Sequence, residues 1–99
     1  MSQSKVSREV YRDVAAERGR QVAKWGTETA LRGSFGSFTE YAGWKYLIAG
    51  EEVGEVARAV LEHQPLQNQA YLGHLYEECI QTAAVFLALA EGVALEMEA

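Results

Sequence analysis

Ile48-Ala49-Gly50-Glu51-Glu52-Val53-Gly54-Glu55-Val56-Ala57-Arg58-Ala59-Val60-Leu61-Glu62 is the stretch on which the fold turns. On a helix, Tyr41, Trp44, Ile48, Glu51, Glu55 and Ala59 share one stripe with Glu52 beside it, so acids stand where an apolar face should continue. A buried carboxylate without a partner costs several kcal/mol or gives up its charge. Three carboxylates within five positions therefore call for a cation, a basic cluster or water. A divalent metal ion is the simplest of these answers.

Working outward, a second acidic position lies in Leu75-Tyr76-Glu77-Glu78-Cys79-Ile80-Gln81-Thr82-Ala83-Ala84-Val85. Leu75, Glu78, Thr82, Val85 and Leu89 keep helical spacing on a stripe that is apolar except for Glu78, and Gln81 is the helical neighbour of that acid. Two antiparallel helices packed along these stripes would gather Glu51, Glu52, Glu55, Glu78 and Gln81 into one oxygen-rich pocket. Oxygen donors without thiolate or imidazole suit Mg²⁺ or Mn²⁺ better than zinc. Acids at helical spacing ordinarily form a solvated face. Here the apolar residues in register with them, and the scarcity of neutralising partners, favour the metal: only Lys45 and Arg58 are basic on the second helix, and none is on the third.

The 99 residues make one domain, 1–99, and a chain this short hides little apolar surface by itself. Hydrophobic residues are nevertheless 48% of it. Val53, Val56, Val60 and Leu61, or Ile80, Ala84, Leu87 and Ala88, extend the apolar faces beyond one side, which predicts homo-oligomerisation. The net charge of −5 is unevenly spread, because residues 46–99 carry one Lys or Arg against nine Asp and Glu. Without a long basic stripe, nucleic-acid binding is not expected. A small phosphorylated ligand fits if a metal ion and the basic first helix bracket it. One cysteine, Cys79, excludes an internal disulfide and fits a reducing cytoplasm; it reads as a small buried side chain. Ile80 to Ala90 is too short to span a bilayer, and no membrane association is expected.

The helical segments follow from their punctuation. A first helix over about 4–24, capped by Ser4 or Ser7, carries the seam Val6, Val10, Val14 and Ala15 and ends at Gly26. Its last turns hold Arg20, Gln21, Lys24 and Trp25. Basic residues there complement the helix dipole and Trp25 plugs the core, or else they hold a nucleotide's phosphates and base. Residues 26–39 read as a Gly/Ser-rich loop, either a lid or a connector, with no P-loop signature. The second helix starts at Ser37 or Thr39 and runs to Leu61 or His63, with Gly50 and Gly54 inside it to admit a close neighbour. Pro65 blocks continuation, and a third helix covers about 70–91, fraying towards Met97 past Gly92. His63 and His74 read as surface residues. The result is an all-α helical bundle of about three main helices.

With those residues in view, the chain resembles the MazG-like all-α nucleoside triphosphate pyrophosphohydrolases, especially the short phage-type members. The family pattern Glu-Glu-x-x-Glu followed by Glu-x-x-Asp is matched by Glu51-Glu52-Val53-Gly54-Glu55 and by Glu78-Cys79-Ile80-Gln81. Glu17-Arg18-Gly19-Arg20-Gln21-Val22-Ala23-Lys24-Trp25-Gly26 is similar as well, and the likeness covers about residues 12–91. It implies associating subunits, Mg²⁺ (or Mn²⁺) on Glu52, Glu55, Glu78 and Gln81, Glu51 as the remaining acid, and cleavage of a nucleoside triphosphate to the monophosphate and pyrophosphate. Gln81 departs from the pattern's Asp: its amide oxygen coordinates but brings no charge and no base. In that setting Arg20 and Lys24 would meet phosphate oxygens, with Gln21 beside them, and Trp25 or Trp44 would stack on the base. Two rival expectations are a nucleotide- or metal-binding module without turnover, and a structural oligomer whose acids pair with basic residues of another subunit.

Overall fold

In the computed structural model, which describes residues 2–62 and 68–99, the chain folds into α1 (Gln3–Trp25), α2 (Glu28–Gly33), α3 (Phe38–Glu62) and α4 (Gln69–Glu98). No strand occurs among the described residues. The all-α bundle expected from the sequence is therefore present, with three long helices and one short one.

Cap chemistry sets the ends. Ser2, rather than Ser4 or Ser7, caps α1, its hydroxyl accepting from the Lys5 amide at 3.3 Å. Gly26 ends that helix at φ 93°, in the region that a side chain would strain. Residues 26–39 are not one long loop: Thr27 caps α2 by accepting from Ala30 N–H at 3.2 Å. A six-residue helix leaves too short a hydrophobic period to be seen in sequence. Of the two capping candidates for α3, Ser37 accepts from the Glu40 amide at 3.1 Å. Asn68 caps α4 through the Ala70 amide at 2.9 Å. His63 and Pro65, expected to mark the turn, lie outside the described residues.

The core is thin and built largely of small side chains. Val14 of α1 packs on Ile80 and Ala84 of α4, with Val10 and Ala83 beside them. Ala15, expected in the same seam, is exposed, and Val6 is largely so. α4 is buried on two sides, Ile80 and Ala84 towards α1 and Val85 on the face shared with α3, which makes it the central helix. Cys79 lies on the side of α4 opposite these buried residues and is exposed, contrary to expectation.

α4 also runs straight through Gly92 to Glu98. A Cβ at Gly92 would run into the ring of Tyr41 on α3, so the glycine makes room for that phenol. This contact, together with the proximity of Glu52 to Glu78, fixes α3 and α4 as antiparallel. At the far end Arg32 of α2 pairs with Glu96, tying down the last turn of α4. Being continuous, α4 is long and apolar enough by length and composition to cross a membrane, which the segment Ile80–Ala90 alone is not. A core helix of a soluble protein meets the same criterion; α4 is packed by α1, α2 and α3, with 28% of its most apolar segment buried.

Two expectations about apolar surplus divide. Ile80, Ala84 and Ala88 are buried within the chain, whereas Val53, Leu61 and Leu87 remain exposed. Gly50 and Gly54 do not admit a close neighbour from this chain, since a Cβ at either would meet open space. The two classes of helical glycine should therefore respond oppositely to the same substitution. Gly92→Ala is expected to lose about 1–3 kcal/mol in urea unfolding through overpacking, and Gly54→Ala to gain up to about 1 kcal/mol from helix propensity. Equal effects at the two positions would contradict this packing.

Candidate functional site

The buried meridian of α3 is displaced by one position from the stripe expected. Tyr41, Lys45, Ala49 and Ala59 are buried, Glu52 is half-buried on the same side, and Glu51 and Glu55 stand exposed on the flank. Spacings of four, four, three and seven keep these residues on one side of a helix of 3.6 residues per turn. One acid, not three, thus points inward.

A cavity of about 390 Å³ opens between α1, α3 and α4. α1 contributes Glu17, Arg18, Arg20, Gln21, Lys24 and Trp25; α3 contributes Trp44, Lys45, Ile48, Glu51 and Glu52; Gln81 and Val85 of α4 and Glu28 of α2 complete it. Every residue expected to touch a ligand, namely Arg20, Gln21, Lys24, Trp25 and Trp44, lines this one space with Glu51, Glu52 and Gln81. Glu55 and Glu78 do not line it. Trp25 does not plug the core: it is exposed at the rim, with Lys24 Nζ 5.0 Å from its ring centre. Trp44 is half-buried and its ring lies 5.4 Å from that of Phe35.

The two ends of the cavity differ in charge. At one end, burial and then the carboxylates of Glu78, Glu55, Glu17 and Glu51 push the Glu52 carboxyl above its ordinary value. Among the described residues no basic side chain forms an ion pair with Glu51, Glu52 or Glu55, and the Glu78 side chain, 13% exposed, has only His74 Nε2 at 4.0 Å. That donor set fits a hard divalent cation in kind: carboxylate oxygens plus the Gln81 amide, crowded and uncompensated. As they stand, the side chains are not spaced to enclose an ion, since the described residues contain no group of three acids, histidines or cysteines close enough to do so.

The other end is a buried ionic network that the sequence reading did not anticipate. Glu28 is only 3% exposed, and its carboxylate takes Arg18 at 3.3 Å, Lys45 at 3.1 Å and the Tyr41 hydroxyl. Arg18 reaches on to Glu91 of α4 at 3.2 Å. Burial, and after it the bond to Glu28, pushes the Tyr41 phenol far above its usual value. Arg18, Glu28 and Lys45 were missed as site residues because each sits alone in the pattern: an arginine among charged neighbours, an acid in a glycine-rich segment, a lysine next to Trp44. The spacing Tyr41, Lys45, Ala49, Glu52 was the one available signal. Glu17 was also missed; it holds Arg20 at 2.8 Å.

No protein-family model, curated protein or solved structure matches this chain.

The crowding at Glu52 has a consequence for stability. A carboxyl raised above its unfolded-state value holds its proton more tightly in the folded protein, so its contribution favours folding at acidic pH and is lost as pH rises through the raised value. Without divalent ions, Glu52→Gln should therefore melt higher than wild type near neutrality. The gap should close towards the ordinary carboxylate range, about pH 4. Equal melting temperatures at neutral pH would contradict the crowding.

Proposed function

We propose that this chain is a Mg²⁺-dependent nucleoside triphosphate pyrophosphohydrolase of the MazG-like class, working as a soluble homo-oligomer in the cytoplasm, with Mn²⁺ able to replace Mg²⁺. The observation that carries the reading is the single cavity that joins uncompensated acids at one end to Arg20, Lys24 and two indoles around the rest. These residues lie on helices far apart in sequence, and a metal-bound polyphosphate attached to an aromatic base has the matching order of charge and ring. The acidic motif and the Lys-Trp-Gly segment support the same class. Exposed Val53, Leu61, Phe86 and Leu87 support association of subunits.

In this reading Glu52, Glu55, Glu78 and the Gln81 amide would hold the cation after their side chains turn towards one another. When bound, Mg²⁺ supplies charge neutralisation on phosphate oxygens and eases deprotonation of water. Glu51, exposed at the cavity edge, accepts the proton of a water that attacks the α-phosphorus. The bond to the β-phosphate oxygen breaks, and pyrophosphate leaves with that electron pair. Lys24 and Arg20 neutralise phosphate oxygens the cation leaves uncovered, Arg20 by turning from Glu17. Gln21 lies on the same wall and offers an amide. Trp44, backed by Phe35, provides a stacking plate inside the cavity, and Trp25 covers the rim.

Gln81 in the cavity favours one second reading, a module that binds metal and nucleotide without turnover, because a neutral amide weakens cation binding and cannot act as a base. One assay separates them. Purified protein incubated with canonical and modified nucleoside triphosphates plus Mg²⁺ or Mn²⁺ should release monophosphate and pyrophosphate, and Glu52→Ala should lose about 100-fold or more of that rate. Calorimetric binding without product would favour the module, and no turnover with no difference between wild type and variant would overturn the enzyme reading.

A further inference from the structure

Lys45 is a buried ammonium, 7% exposed, yet it lines the cavity. Its Nζ has three donors, and among the described residues its one carboxylate partner is Glu28 at 3.1 Å. Glu28 takes one of those donors, the Trp44 ring centre lies 5.4 Å from the same Nζ, and a ligand in the cavity can accept from another. The charge around it is already balanced: Arg18 and Lys45 face Glu28 and Glu91, two cations against two anions. The cluster therefore calls for no further negative charge, and a neutral acceptor suits it better than a phosphate. Lys45 also adjoins Trp44, the stacking plate, and stands two helical turns, about 10 Å along α3, from Glu52. Phosphates gathered at the acidic end place the far edge of a base, not the polyphosphate, beside it.

We propose that the Lys45 ammonium, oriented by Glu28, donates to a keto oxygen on the edge of the nucleobase and selects keto-bearing bases over those without that oxygen. The assignment deepens the nucleotide reading of the cavity and rests on it. Glu28 is the positioning residue: its two oxygens are occupied by Arg18, Lys45 and Tyr41, so it holds the ammonium without contacting the ligand. Trp44 supplies affinity for any ring, and Lys45 supplies the discrimination.

The test uses pairs of ligands that differ by one oxygen, bound to the wild-type protein as α,β-methylene triphosphates with Mg²⁺. Inosine is compared with purine riboside, and uridine with pyrimidin-2-one riboside. Loss of the keto oxygen should weaken binding at least about tenfold in at least one pair. Lys45→Met should bind the two members of that pair within about twofold of each other, while leaving the weaker ligand's affinity unchanged. Should Lys45→Met fail to fold, Lys45→Gln, which keeps a polar end without the charge, takes its place and must reduce the preference; an undiminished preference there would overturn the proposal. Equal binding within both pairs would overturn the proposal, as would a Lys45→Met protein that weakens all four ligands alike, which would put the ammonium against phosphate. Because hydrolysis is not read, the outcomes separate: a keto preference in a protein without turnover keeps this inference and sinks the enzyme. Turnover without a keto preference does the reverse, and binding of none of the four ends this inference while the turnover assay decides the enzyme.

Discussion

A single carboxylate ties the four helices together. Glu28 sits at the start of α2, buried, pairs with Arg18 of α1 and Lys45 of α3 and accepts a hydrogen bond from the Tyr41 hydroxyl of α3; Arg18 then reaches Glu91 of α4. Burying such ions is costly, so the network adds little net stability over a well-packed apolar core, but removal of one partner leaves an uncompensated charge. What it secures is arrangement. With a core made mostly of alanine, valine and isoleucine, the bundle has few large side chains to fix how the helices lie, and the network, with Tyr41 seated against Gly92, does so.

That arrangement opens the cavity and gives it two unlike ends. Where Glu28 gathers cations, the lining is balanced in charge. Where Glu52 meets Glu78, Glu55, Glu17 and Glu51, it is negatively charged and unbalanced. The contrast follows from the distribution of charge along the chain, since all but one of the lysines and arginines lie in residues 1–45 and α4 carries none. Packing α4 against α3 brings acids together, and among the described residues no lysine or arginine pairs with Glu51, Glu52, Glu55 or Glu78. A structure selected only for stability would neutralise Glu52 with an arginine from α1. Here Arg20 is on the cavity wall but is paired with Glu17.

Much of this was legible in the sequence. The long helices, the stop at Gly26 and Ser37 as one of two capping candidates follow from periodicity and spacing, whereas Arg20, Lys24, Trp25 and Trp44 were expected beside the acids only in the setting of the family resemblance. The phase of α3 was not legible. Reading Glu51 and Glu55 inward gives a stripe as regular as the true one, and only burial of the amphipathic Lys45 distinguishes them, which a polar residue on a hydrophobic meridian disguises. α2 and Glu28 were invisible for another reason: one and a half turns carry no period, and the short helix is held by its cap and its ionic partners rather than by an apolar face. The exposure of Cys79 and the continuity of α4 through Gly92 depend on which faces find neighbours, a property of the packed bundle alone.

In the proposed function, the acids near Glu52 share a hard cation with a ligand whose ring lies towards Lys45. Crystals grown with Mn²⁺ and an uncleavable nucleoside triphosphate test this most directly through the anomalous signal of the metal. The expected result is a peak bounded by Glu52 and Glu78 with carboxylate oxygens about 2.0–2.3 Å away, phosphates on the Arg20 side and the base against Trp44. Manganese only at scattered surface carboxylates, with Glu52 and Glu78 directed apart into solvent and no nucleotide in the cavity, would contradict it.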